Sequence, residues 1–265
     1  NDSNSSLQSI LPGPYCKIGG LTFDRYNNLW VVNSGTENPI SVRTPEGDWY
    51  NFPYANTIGA DDISDIIVTQ NGNKWVILPR GNGLFVFNEY GTFDDATDDD
   101  KVKLNLKDED GEIINDIYSI AEDKDGAIWV GTNQGVLVYY NPYSVFSNSS
   151  ISAQRIVVEF GGTPQHLLGT ETVTAIEIDG ADRKWFGTEG AGVFLMSQDA
   201  TEQIQNFNLE NSPLLSNVVN AIGINDNTGE VFFGTDKGIV SYRGTATAGG
   251  SDFNGLYAFP NPVRP

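Results

Sequence analysis

Eight polar residues stand at comparable places in a phrase that this chain repeats: Glu37, Arg80, Asn82, Asn133, Gln134, Glu189, Asp236 and Lys237. Carboxylates, amides and two cations in one set can hydrogen-bond the hydroxyls of a sugar or the amides of a peptide. They suit such ligands better than an apolar one. Asp62, Asp116, Glu171 and Asn217 open the successive phrases and are expected at the same end of the fold.

Other chemistry is sparse. His166 is the single histidine, and any Ser-His-Asp or Cys-His arrangement would have to use it. It sits in Thr163-Pro-Gln-His-Leu-Leu168, outside the repeated phrase, where a loop or interface role is expected. One Cys (Cys16) and one His fall short of the three or four ligands of a zinc site, and a lone cysteine forms no intrachain disulfide. The acidic stretches Asp94–Asp100 and Lys107–Glu112 offer the clustered oxygens that Ca²⁺ favours, without the spacing of an EF-hand loop. Asp123-Lys-Asp-Gly126 looks like half a calcium loop, but its recurrence elsewhere reads as a structural turn. Gly-Thr-x-x-Gly joins two strands and leads into no helix, so it is no phosphate loop. No cofactor and no catalytic set is expected. A pair of acids near a central axis would serve glycosidase chemistry, and nothing in the sequence marks which acids those would be.

The elements that position these residues are read from the phrase itself. It is clearest over Asn115–Val136 and recurs in Lys17–Val32, Asp62–Phe87, Val173–Leu195 and Val218–Tyr242. Each copy has an apolar strand, a polar turn, an aromatic-led strand, a Gly-containing turn and a third strand. The anchor aromatics Trp30, Trp75, Trp129, Trp185 and Phe232 are 45, 54, 56 and 47 residues apart by subtraction. That period, with several short strands per repeat, predicts an all-β fold, a β-propeller of four-stranded antiparallel blades with five repeats; a fragment of a six- or seven-bladed propeller is the alternative. Trp129 and Trp185 are expected to pack between neighbouring blades.

A more variable fourth strand is expected at Trp49–Phe52, Val102–Leu106, Arg155–Phe160 and Ile204–Asn208. The fifth repeat lacks an obvious one, which Leu7–Leu11 or Leu256–Phe259 would supply. The division follows: 1–16 as a segment completing the last blade, 17–256 as the propeller, and 257–265 as a Pro-rich linker to an absent C-terminal domain.

Fifteen basic against 35 acidic residues give a formal charge of −20. Such a field repels nucleic acid and anionic membrane surfaces, and no run approaches the ~20 apolar residues of a membrane span. Screening beyond ~8 Å leaves room for a local cationic pocket around Arg80 and Lys237.

The repeated phrases resemble the two-component regulator propeller repeat: Val-x-x-Ile, Asp-x-x-Gly, Leu-Trp-x-Gly-Thr, then Gly-Leu and an aromatic. Asn115–Tyr139 matches almost throughout, Val218–Tyr242 has Phe232 for Trp, and Val173–Leu195 matches in its Trp-x-Gly-Thr core. A narrower resemblance, carried by Asp182–Thr188, Ser241-Tyr-Arg243 and the ending Ala-Phe-Pro-Asn-Pro-Val-Arg-Pro, is to PorZ-type propeller proteins. It implies an exported, extracytoplasmic protein of a Gram-negative cell, in the periplasm or on the outer-membrane surface, linked to type IX secretion and surface lipopolysaccharide. The function expected is a non-enzymatic binding or scaffold module with a glycan or protein partner at the rim. The alternatives are the glycan-sensing ectodomain of a two-component regulator and a carbohydrate-active enzyme.

Overall fold

Strand and turn alternate through the chain because each apolar run is cut by a residue that reverses it. In the first turn of successive repeats the reversing position is Asn27, Gly72, Gly126, Asp182 or Gly229, all with φ between 60° and 87°. Glycine, asparagine and aspartate are the residues that enter this left-handed region most readily. A computed structural model of the protein describes residues 5–10, 15–147, 151–160 and 162–247.

The architecture is a five-bladed β-propeller of antiparallel sheets with almost no helix. Blade 1 is β1 (Lys17–Phe23), β2 (Leu29–Ser34), β3 (Ile40–Arg43) and β4 (Trp49–Phe52). Blade 2 is β5 (Ile66–Val68), β6 (Lys74–Leu78), β7 (Gly83–Asn88) and β8 (Asp100–Leu104). Blade 3 is β9 (Ile117–Glu122), β10 (Ile128–Thr132), β11 (Gly135–Tyr139) and the two-residue β12 (Gln154–Arg155). A separate hairpin, β13 (Val157–Phe160) and β14 (Thr163–His166), precedes blade 4. Blade 4 is β15 (Val173–Ile178), β16 (Lys184–Thr188), β17 (Val193–Met196) and β18 (Gln203–Phe207). Blade 5 is β19 (Val219–Asn225), β20 (Glu230–Thr235) and β21 (Gly238–Arg243), three strands among the described residues. The only α-helical element among them is the single turn Ala55–Ile58.

The continuous strand expected over Arg155–Phe160 is corrected: Arg155 closes the blade 3 sheet, and Val157–Phe160 turns away to pair with β14. Buried Ile156 stands at the change of direction. The described part of the N-terminal segment, 5–10, forms no strand. Gln8 lies along the β2–β3 turn, its carbonyl accepting Asn33 Nδ2–H at 2.7 Å and its side chain accepting the Asn38 N–H at 3.0 Å. Leu256–Phe259 and the 257–265 linker lie outside the described residues.

The core consists of four apolar layers, each between consecutive blades. Trp30, Trp75, Trp129 and Trp185 each face the following blade and are buried. Trp129 meets Phe186 and Trp185 meets Phe233, so the expected interblade packing is present. Burying each such side chain is worth about 1.5–3 kcal/mol.

In three of the repeats the turn aspartate fixes the tryptophan. Asp24, Asp123 and Asp179 accept the indole N–H of Trp30, Trp129 and Trp185 at 3.1, 2.7 and 3.1 Å. In blade 2 this position is Thr69, and the indole N–H of Trp75 is buried without a partner. The other oxygen of Asp123 accepts the N–H groups of Asp125 and Ala127 at 3.1 and 2.8 Å. The Asp123–Gly126 motif therefore spends its oxygens inside the protein, as a structural turn does.

A candidate polar rim and an acidic channel wall

The β2–β3-type turns and the blade entries do share one end, and backbone bonds tie them together. The N–H groups of Gly35, Gly81, Gly135 and Gly192 donate to the carbonyls of Asp61, Asn115, Glu171 and Asn217, in each case the entry to the next blade, at 2.8–3.1 Å. Asn133, Glu189 and Asp236 donate backbone N–H groups to Asp116, Thr172 and Val218 at their own entries, at 3.2, 3.0 and 3.4 Å. The Gly-Thr of the repeat braces the same turns. Thr132, Thr188 and Thr235 donate their hydroxyls to the carbonyls of Gly135, Gly192 and Gly238 at 2.9, 2.9 and 2.8 Å.

This framework presents the predicted side chains. Glu37, Arg80, Asn133, Gln134, Glu189, Asp236 and Lys237 are exposed, and Asn82 is half-buried with its amide donating to Pro79 O at 2.9 Å. Arg80 is held by Asp62 at 2.7 Å, and Lys17 pairs with the same carboxylate. The hydrogen bond from Lys17, with the charges of Lys17 and Arg80, holds Asp62 below the usual carboxylate range. Gln134 is engaged by the Arg155 guanidinium, which donates to its carbonyl at 2.9 Å and its side-chain oxygen at 3.2 Å. Glu37 borders a cleft of about 820 Å³ whose walls include Gln8, Asn56 and Asp61. The turns bring the eight residues to one end but on different blades. Arg80 is on blade 2 and Lys237 on blade 5, and Arg80 already has a carboxylate partner.

Sequence reasoning missed two features. The first is a cleft of about 640 Å³ beside the β13–β14 hairpin, lined by His166, Leu168, Phe194 and Met196. His166 is exposed there, and its position outside the repeat frame was the available signal. The second is the channel wall. Thr22, Ile67, Ile120, Glu122 and Glu177 from four inner strands surround a cavity of about 300 Å³. Burial pushes the Glu177 carboxyl up to about 7, with repulsion from Asp226 and Asp65 adding to it. Burial also raises Asp65 and Glu122, the latter opposed by a hydrogen bond from the Gln70 N–H. Glu122 pairs with Ile128 and Glu177 with Trp185, at neighbouring rather than equivalent inner-strand positions, where nothing in the sequence distinguishes them from ordinary surface acids.

The two component regulator propeller family matches residues 107–134, which span the blade 3 entry, β9 and β10. Among solved structures, the chain is similar to PorZ, an essential bacterial surface component of the type-IX secretion system of Porphyromonas gingivalis. The identity is 30%, over 98% of this chain and 36% of PorZ, with a TM-score of 0.84. The extracellular domain of a putative hybrid two component system from B. thetaiotaomicron shares 21% identity over 88% of this chain and 27% of its own, with a TM-score of 0.60. A putative gluconolactonase shares the fold at 11% identity, covering 87% of this chain and 75% of its own, with a TM-score of 0.54. The chain thus spans about a third of the PorZ structure and about a quarter of the two-component ectodomain. No curated protein matches it. Among the described residues no helix is long and apolar enough to cross a membrane.

Proposed function

For a chain that carries a two-component regulator propeller repeat and resembles PorZ, we propose a non-enzymatic, extracytoplasmic binding or scaffold module in the envelope of a Gram-negative cell. Its polar rim meets a glycan or a protein. One observation carries this reading. The rim turns of the first four blades are fixed blade to blade by backbone hydrogen bonds, so Glu37, Asn133, Gln134 and Glu189 are offered from a rigid frame, while the fifth turn, with Asp236 and Lys237, is tied to its own entry by the Asp236 N–H. Fixed polar groups bind hydroxyl-rich or amide-rich partners without an ordering cost at the moment of binding. The PorZ-type resemblance read from the sequence implies an anionic surface polysaccharide, and the charge of −20 favours a neutral partner. Lys237, and Arg80 where it is not engaged by Asp62, are the exposed rim cations that would take an anionic sugar.

Titration of neutral and anionic glycans against wild type, Arg80→Ala/Lys237→Ala and Asn133→Ala/Gln134→Ala tests the reading. Loss of binding in either double variant supports the rim. Equal binding by all three removes the rim, and binding to no glycan leaves the protein-scaffold role.

A second reading, glycan hydrolysis, rests on the channel cavity that Glu122 and Glu177 both line, with Glu177 near 7. Paired acids of unequal environment are what acid–base hydrolysis of a glycosidic bond uses. Turnover on a glycan panel that disappears in Glu177→Gln would establish it.

A further inference from the structure

We propose that the sector of the rim between the third and fourth blades binds a pyranose ring that carries no negative charge, with Tyr118 as the platform on which that ring stacks. This rests on the reading of the rim as a glycan-binding end, and it names the class of sugar and the residue that receives it.

Near the rim end, the inner strand slips its pairing by one residue in blades 1, 3, 4 and 5. Ile18, Ile117, Val173 and Val219 pair with Asn33, Thr132, Thr188 and Thr235, and the next paired residues are Gly20, Ser119, Ala175 and Ala221. The residues left over are Gly19, Tyr118, Thr174 and Asn220. A bulge of this kind re-aims the side chain that it frees. In three blades the freed residue is a glycine or is small and polar. In blade 3 it is a tyrosine, 47% exposed, which leaves much of an aromatic ring open to solvent.

This position leans toward the following blade. Thr174 donates its hydroxyl to the Val219 carbonyl of blade 5, and a Cβ on Gly19 would run into the Ile63 carbonyl of blade 2. Tyr118 accordingly stands between Asp116 at its own entry and the blade 4 turn that carries Glu189. Partial burial raises its hydroxyl pKa, and the charges of Asp116 and Glu189 raise it further, so both carboxylates are within electrostatic reach. Both neighbours are held in place. Asp116 accepts the side-chain amide of Asn133 at 3.2 Å, and the Glu189 backbone N–H donates to Thr172 O at 3.0 Å.

The combination matches one chemistry. The C–H face of a pyranose packs on an aromatic ring, and the hydroxyls at its edge need polar groups beside that ring. Asp116 and Glu189 supply acceptors, and Asn133 supplies an amide. Two carboxylates at one platform repel a uronic acid or a sugar phosphate. Arg155, the cation that meets this turn, is already spent on Asp108 and Gln134. Arg80 and Lys237 belong to blades 2 and 5. An amino sugar is favoured twice, because its ammonium is attracted by the carboxylates and by the aromatic face.

The test starts from an array of neutral, amino and uronic-acid oligosaccharides probed with wild type. The sugars that bind are titrated against Tyr118→Ala, Tyr118→Phe, Asp116→Asn/Glu189→Gln and Arg80→Ala/Lys237→Ala, with a thermal melt of each variant to confirm that it folds. Neutral and amino sugars should bind. Tyr118→Ala should weaken them about five- to tenfold, and Tyr118→Phe, which keeps the stacking face, by no more than about twofold. Asp116→Asn/Glu189→Gln should bind uronic-acid sugars at least about fivefold more tightly than wild type does. Wild-type binding confined to uronic-acid sugars overturns the proposal, as does a Tyr118→Phe as weak as Tyr118→Ala. If Tyr118→Ala binds like wild type while Arg80→Ala/Lys237→Ala does not, the rim reading stands and this inference falls. If no sugar binds, both fall.

Discussion

Lys184 reaches from the fourth blade to place its ammonium 3.2 Å from the Asp123 carboxylate of the third, 5.0 Å above the ring centre of Trp129. Its side chain is fully buried. It also meets Asp182 Oδ1 at 3.1 Å and donates to the Asp182 carbonyl at 2.9 Å. One cation thus closes a circuit in which Asp123 holds both its own turn and the indole N–H of Trp129. The arrangement recurs between blades 1 and 2, where Lys74 lies 4.4 Å above the Trp30 ring and pairs with Glu89.

Lys184→Ala should therefore be costly. It leaves Asp123 and Asp182 without their buried counter-charge, and breaking a buried pair from one side costs about 3–5 kcal/mol. Lys184→Met, which fills the space but also removes the charge, should not restore stability. Lys184→Met combined with Asp182→Asn should recover part of it. Urea unfolding with the slope held constant measures all three, and a midpoint for Lys184→Ala equal to wild type would show the pair to be dispensable.

Trp129→Ala should destabilise by about 3–5 kcal/mol, through lost transfer energy and the cavity left behind. Trp129→Phe keeps most of the apolar volume and loses the 2.7 Å bond to Asp123, so a smaller loss of about 1–2 kcal/mol is expected. Equal losses in the two variants would mean that the indole N–H contributes most of the effect.

Much of this was legible in the sequence, because a blade is a local object. The anchor aromatics, the turn residues at Asn27, Gly72, Gly126 and Asp182, and the strands they bound all follow from short-range pattern. The fourth strand of blade 3 was not legible. Arg155 and Val157–Phe160 are equally strand-like, and the reversal at Ile156 is set by the neighbouring hairpin rather than by local propensity. Glu177 was invisible for a related reason. It is one polar residue in the alternation of β15, and only the meeting of several inner strands buries it. Lys184 likewise reads as a surface charge beside Arg183, and the fold buries it fully while Arg183 stays partly exposed against Asp179.

The raised Glu177 carboxyl makes stability depend on pH in a definite direction. It titrates at about 7 in the fold against an ordinary 4.5, so between those values the folded state holds more protons than the unfolded chain. Stability from this group is fully present below 4.5 and falls as pH rises through the window to 7, by about 3 kcal/mol at most. Glu177→Gln should flatten that fall, becoming more stable than wild type at pH 8 and nearly equal to it at pH 4.5. Matching pH slopes for the two proteins in thermal melts would show that the carboxyl is solvated in the channel.

The rim depends on Gly192 more than on any charged residue it presents. Gly192 has φ +83°, its N–H donates to Asn217 O at the next entry at 3.1 Å, and a Cβ there would lie 2.1 Å from the Phe207 carbonyl. An L-residue faces both a disfavoured backbone conformation and a backbone clash, so Gly192→Ala should cost about 1–3 kcal/mol. Glu189→Ala, three residues away on the same exposed turn, should change stability by no more than about 0.5 kcal/mol. For ligand binding, Gly192→Ala should weaken any partner of the rim by moving Glu189, and Glu189→Ala should weaken only a partner that uses its carboxylate. Unchanged melting of Gly192→Ala would show that the turn relaxes freely, and the rim would then lack the rigid frame on which its proposed role rests.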